Sequence, residues 1–157
     1  VAPEYNWERH GFPVCEGPAV LQRNGKIFLV YSAAGTDALY CLGMCTADEN
    51  ADLLDPASWT KSEHPVFQSS RKNGQFGPGH NSFTKDEEGH DVMVYHARQE
   101  ERYLVDEGYQ PLYDAGRNAT LMRIYWNEDG TPNFSVPIPS GKGHDIPTEF
   151  TAKVIVK

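Results

Sequence analysis

The 157-residue chain carries 14 basic against 22 acidic residues, a formal net charge of −8, and 39% of it is hydrophobic. An acidic balance with scattered Lys and Arg excludes a nucleic-acid backbone or an anionic membrane surface as its main partner, since both demand a basic patch. No apolar stretch approaches the roughly 20 residues of a membrane helix, and a chain with 23% charged and 11% aromatic residues is too apolar to be disordered.

Strand signals follow one another along the chain. Lys26-Ile27-Phe28-Leu29-Val30-Tyr31-Ser32 is a β-branched and aromatic run opened by the turn pair Asn24-Gly25. Ala38 to Met44 is the next, after the loop Gly35-Thr36-Asp37. Residues 51 to 59 are the one place for a helical turn or two, with Trp59 anchoring the loop Asp55-Pro56-Ala57-Ser58. Asp91 to His96, Leu121 to Trp126 and Thr151 to Val156 complete the strand candidates. No longer window holds a 3.6-residue period, so the class is all-β.

The three cysteines, Cys15, Cys41 and Cys45, make an odd and poor disulfide framework. With a period of two, residues 41 and 45 share one face, as buried structural thiols would, and no further Cys or His stands near them at zinc-ligand spacing. The N-terminus, Val1-Ala2-Pro3-Glu4, has neither a basic start nor an apolar signal core. It reads as an interior cut, and the compartment is not legible from it.

The most informative feature is an internal echo. Gly17-Pro18 leads to Asn24-Gly25 and then Val30-Tyr31-Ser32-Ala33, whereas Gly77-Pro78 leads to Glu88-Gly89 and then Val94-Tyr95-His96-Ala97. A period of roughly 60 residues is that of a four-stranded propeller blade, and a pair of hairpins in a β-sandwich is the alternative. At this period the chain holds about two and a half blades, fewer than the roughly four that close a ring. The expected organisation is therefore a partial propeller over residues 1 to 157, its N-terminal blades absent from this chain.

In a propeller the start of each innermost strand lies at one mouth of the central channel, where ligand sites collect. Val14-Cys15-Glu16-Gly17-Pro18 and Gly77-Pro78-Gly79-His80-Asn81-Ser82 hold that place. Composition alone makes Glu16 an ordinary turn glutamate. Its apolar neighbours and its place at a repeat start suit a carboxyl whose pKa is raised for general-acid work. His80 is either a loop histidine bound to backbone or a channel residue that touches a sugar or a metal, and His96, in the place of Ser32, suits a supporting role. Trp7, Phe76, Tyr103, Tyr109 and Trp126 are candidates for stacking on sugar faces, a task that competes with burial in the core.

Taken together, Val14-Cys15-Glu16-Gly17-Pro18-Ala19, Gly25 to Ser32, Tyr40 to Met44, Ala51 to Lys61, Phe76 to Phe83, Val94-Tyr95-His96-Ala97 and Trp126 to Pro132 resemble glycoside hydrolase family 43. These are the five-bladed β-propeller arabinanases, arabinofuranosidases and β-xylosidases, and the segments occur in family order. The resemblance implies the C-terminal portion of an inverting hydrolase that releases arabinofuranosyl or xylosyl units from plant polysaccharides. The arabinofuranosidase side of the family fits best.

It further implies that Glu16 is the general acid and that His80 and Arg117 lie at the sugar site. Phe76 is expected there as a substrate-binding aromatic. His80 is also expected to help hold a calcium ion in the central channel, largely through water. The family's aspartate base and its second, acid-orienting aspartate belong to earlier blades, so the expected partners are an arabinose- or xylose-containing polysaccharide and the N-terminal half of the same propeller. Cys15 stands where asparagine is common, which bears on substrate preference. A non-catalytic carbohydrate-binding propeller and an isolated β-sandwich interaction domain are the readings from other classes.

Overall fold

The computed structural model describes residues 1–141, so the strand candidate at residues 151 to 156 lies outside them. The described residues form an all-β structure with short 3₁₀ turns and no α-helix. A four-stranded antiparallel sheet is built in chain order from β1 (Cys15–Arg23), β2 (Lys26–Ala33), β3 (Cys41–Asp48) and β4 (Thr60–Lys61). A second sheet repeats the order with β5 (Phe76–Lys85), β6 (Asp91–Arg98) and β7 (Asn118–Arg123), and β8 (Tyr125–Trp126) pairs with β9 (Pro132–Asn133). Each sheet is a meander of neighbours, as in a propeller blade.

The β1–β2 hairpin follows from its turn. Asn24 and Gly25 both adopt positive φ, at 50° and 76°, the primed geometry that matches the twist of paired strands. Along β2, Phe28 and Val30 point to the core between the sheets, and Tyr31 and Ala33 point to the other face, where they meet Trp7 and Trp59. Both faces are thus covered, which explains an almost uninterrupted apolar run. In β6, Met93, Tyr95 and Ala97 join the inter-sheet core while Val94 and His96 face outward. The Phe67 and Tyr95 rings meet edge-on at 4.9 Å, and a fully buried side chain of this size contributes about 1.5–3 kcal/mol.

Three expected elements take another form. Ala38 to Tyr40 do not begin a strand, because buried Asp37 accepts the Leu39 and Leu104 N–H groups on its two carboxylate oxygens and holds the chain in a turn; β3 starts at Cys41. The run from Leu121 to Trp126 is interrupted at Ile124, whose N–H donates to the Asp91 carbonyl at 2.8 Å. Between residues 51 and 59 the only helical piece is the 3₁₀ turn Pro56–Ser58, capped by Asp55, and Trp59 anchors the loop by donating to the Leu53 carbonyl at 3.1 Å. Cys41 and Cys45 are buried, and all three cysteines are free thiols.

Candidate active site

Strands β1, β3, β5 and β7 start at one end of the two sheets, where β2 and β6 finish. Glu16, Tyr40, His80, His96 and Arg117 gather at this end. The ladder sets their relation: Glu16 pairs with Ser32 across β1–β2, and Gly79 pairs with His96 across β5–β6. With Val30-Tyr31-Ser32 matched to Val94-Tyr95-His96, the structural counterpart of Glu16-Gly17 is Gly79-His80. The Gly77-Pro78 pair suggested by the sequence echo is displaced because β5 carries two register shifts where β1 carries one. Gly17 and His80 sit at corresponding bulges of β1 and β5 and share a left-handed backbone, φ 55° and 50°. That conformation suits glycine and costs energy in histidine.

His80 is locked there from two sides. Its N–H donates to the Ser32 hydroxyl at 2.7 Å. Its ring lies over Gly17, where a Cβ would come within 3.1 Å of ring carbon Cε1. The Tyr40 hydroxyl donates to Glu16 Oε1 at 2.7 Å, and the Tyr40 ring stacks on His96 with centroids 5.5 Å apart and planes within 3°. Gly79 makes room for that ring, since a Cβ would fall 2.3 Å from Tyr40 Cε1. Burial first, and then the charges of Arg117, Arg98 and His80, push the His96 imidazole down to a pKa of about 4. It is therefore neutral near pH 7, and its buried Nδ1 has no hydrogen-bond partner among the described residues.

On the outward face of the second sheet an open cleft of about 540 Å³ is lined by His80, Ser82, Val94, His96, Asp114 and Arg117, among others. Arg117 donates to the Leu112 carbonyl at 2.7 Å, which steadies it at the cleft wall. Asp114 is occupied by the buried Arg98 guanidinium at 2.8 Å and by the Tyr109 hydroxyl. Phe76 is not in this cleft: it is buried and lines a second hollow of about 300 Å³ with Leu39, Arg71, Glu101 and Tyr103. Trp126 packs on Phe28 and under the Arg23 guanidinium, and Trp7 covers the first sheet. Tyr109 carries the Arg102 guanidinium over its ring. Sequence reasoning missed Tyr40, which it read as a strand residue; the signal available was Gly79, a second glycine directly before His80.

A meander of blades that gathers a carboxyl and two histidines at the end where β1 and β5 start and β6 finishes has the architecture of a propeller with polar groups at one mouth. The sequence matches the model of glycosyl hydrolases family 43 over residues 2–132, and the chain belongs to that family. It is 54% identical over 140 residues to an extracellular exo-α-(1→5)-L-arabinofuranosidase of Streptomyces avermitilis, covering 88% of this chain and 28% of that protein. It is 49% identical over 140 residues to an α-L-arabinofuranosidase of Humicola insolens, again covering 88% of this chain and 28% of that protein. Among solved structures, an α-L-arabinofuranosidase from Lactobacillus brevis superposes with a TM-score of 0.84 at 53% identity, over 91% of this chain and 43% of that one. The chain thus spans less than a third of the length of these curated relatives, and its blades are those of the C-terminal portion of a family-43 propeller.

Proposed function

We propose that this chain supplies the general-acid side of the active site of an inverting α-L-arabinofuranosidase, with Glu16 as the acid. The observation that carries the reading is the Glu16 carboxyl at the start of β1, tied to Tyr40 beside the cleft of His80, His96 and Arg117. The high identity to proteins named arabinofuranosidases supports the sugar. Glu16 gives its proton to the glycosidic oxygen as the bond to the anomeric carbon breaks. A carboxylate base, which we place on the blades that precede this chain, takes a proton from the attacking water. Inversion needs these two carboxyl groups roughly 6.5–9.5 Å apart with the water between them.

Arg117 and His80 hydrogen-bond the sugar from the cleft wall. Phe76, buried and lining the separate second hollow, is given no contact with the sugar in this reading. The preceding blades close the cleft and complete the ring, of which this chain forms about two and a half blades.

A calcium ion in the channel, reached by His80 through water, belongs to the same proposal. Calcium takes six to eight oxygen ligands. The one cluster of three potential ligands among the described residues, Asp86, Glu88 and His90, lies in the β5–β6 turn at the far end of the sheet. The described residues therefore do not form a calcium cage by themselves, and no step runs through the ion. Metal content measured by elemental analysis, and its loss in His80→Ala, tests that part.

The experiment for the acid is Glu16→Gln in the complete protein. Activity on arabino-oligosaccharides should fall about 10²–10⁴-fold, with far less loss on an arabinoside carrying an activated aryl leaving group, which needs little protonation. Equal loss on both refutes the acid role. Hydrolysis of xylosides in preference to arabinosides moves the substrate to the β-xylosidase reading, and binding of arabino-oligosaccharides without any hydrolysis supports the carbohydrate-binding one.

A further inference from the structure

The Glu16 carboxyl accepts one hydrogen bond among the described residues, from the Tyr40 hydroxyl to Oε1. Tyr40 is only 1% exposed, and its ring is held between the His96 imidazole and the bare backbone of Gly79. Burial first, and then the Glu16 carboxyl, push the Tyr40 hydroxyl well above its ordinary range against the opposing hydrogen bond from Ser32, so it is a proton donor at any working pH. The neutral His96 ring beneath it adds no competing charge. A carboxyl gripped in this way has two unlike oxygens: Oε1 accepts from Tyr40, and Oε2 is the one left to carry a proton.

We propose that Tyr40 is a positioning residue for the acid step, orienting the Glu16 carboxyl so that Oε2 delivers the proton and Oε1 holds the charge that develops. The inference rests on Glu16 being the general acid. As the glycosidic C–O bond breaks, its electron pair and the Oε2 proton pass to the leaving oxygen, and Glu16 becomes a carboxylate. A hydrogen bond to an ionised acceptor is roughly twice as strong as one to a neutral acceptor, so the Tyr40 bond strengthens as the proton departs and favours the transition state over the ground state. Gly79 is required because any side chain there displaces the ring, and the bulge that places it is the one that turns His80 into the cleft.

The test is Tyr40→Phe in the complete protein, which keeps the ring and its stack on His96 and removes only the hydroxyl. On arabino-oligosaccharides kcat should fall about ten- to a hundredfold with KM unchanged, while kcat on the activated aryl arabinoside stays within about twofold. Gly79→Ala keeps the hydroxyl but shifts it away from Glu16, and should give the same selective loss. A role in folding alone would lower both substrates together or lower the melting temperature without selectivity, and either result overturns the proposal. Glu16→Gln run alongside separates the two ideas. If Glu16→Gln loses activity equally on both substrates, the acid assignment falls and Tyr40 with it. If Glu16→Gln is selective and Tyr40→Phe is not, only the role of Tyr40 falls.

Discussion

Glu8 is fully buried and collects donors from three directions. Lys61 Nζ lies 2.8 Å away, the Tyr31 hydroxyl donates at 2.8 Å, and the Glu4 and Tyr5 N–H groups donate at 2.6 and 2.8 Å. Burial by itself would raise this carboxyl, but the bonds from Lys61, the backbone of Tyr5 and Glu4, and Tyr31 outweigh it and bring the pKa to about 2. The folded value lies below the ordinary 4.5, so the unfolded chain binds the proton more readily. The stabilisation is complete above about pH 4.5 and is lost as pH falls from there toward 2. Glu8→Gln leaves Lys61 and the backbone donors facing an amide, and should cost roughly 2–4 kcal/mol at pH 7, with the gap to wild type narrowing in acid; urea melts at pH 7 and pH 3.5 measure it.

The same carboxylate acts on its neighbour. Burial first, then the negative charge of Glu8, raises the Cys15 thiol to about 12, and burial raises Cys41 to about 12. Thiolate being the reactive form, both should resist alkylation at pH 8 in the folded protein and react at once in urea, as counted by mass spectrometry. None of this network was legible in the sequence, where Glu8 is one polar residue in a mixed N-terminal stretch.

The strands themselves were readable where local chemistry decides them. Asn24-Gly25 announces its hairpin because both residues tolerate the positive φ that the turn demands. The bulges of β5 were not readable, since they depend on what approaches from elsewhere. Gly77 has φ 57°, and a Cβ there would lie 2.2 Å from the Asp37 carbonyl oxygen, a backbone atom that cannot step aside. Gly89 has φ 84° with nothing within 4 Å. Gly77→Ala should therefore destabilise by more than about 2 kcal/mol, whereas Gly89→Ala should cost only about 1–2 kcal/mol, the backbone strain alone. Thermal melts of the pair, compared in one buffer, distinguish a steric requirement from a conformational one.

Across the molecule, the two sheets bury one face of each against the other, and the second sheet presents Val94, His96 and Ala119 on an outward face that is partly exposed. Its edge strands among the described residues are β5 and β7, and an open edge is a template for unwanted pairing. Expressed alone, the chain should self-associate and bind a hydrophobic dye, and on the proposed placing of the base outside it the chain should not hydrolyse arabinosides, because inversion takes a second, positioned carboxyl group. Within a complete family-43 propeller, the arrangement proposed above, it should be monodisperse and active, as light scattering and an arabinose-release assay would record.

The sequence by itself determined the all-β class, the blade-sized repeat, the family and the placing of Glu16 and His80 at strand starts. Each of these is written in short-range patterns: alternation of period two, turn residues that permit positive φ, and motifs a few residues long. Only the tertiary structure decided that Gly17 is matched by His80 and not by the Gly77 of the sequence echo, and that Phe76 belongs to a hollow apart from the cleft. It alone brought Tyr40 onto the Glu16 carboxyl. Those outcomes turn on register shifts and on contacts between residues far apart in the chain, such as Tyr40 with Glu16 and with His96, and no local pattern encodes which distant side chain will fill the space beside a glycine.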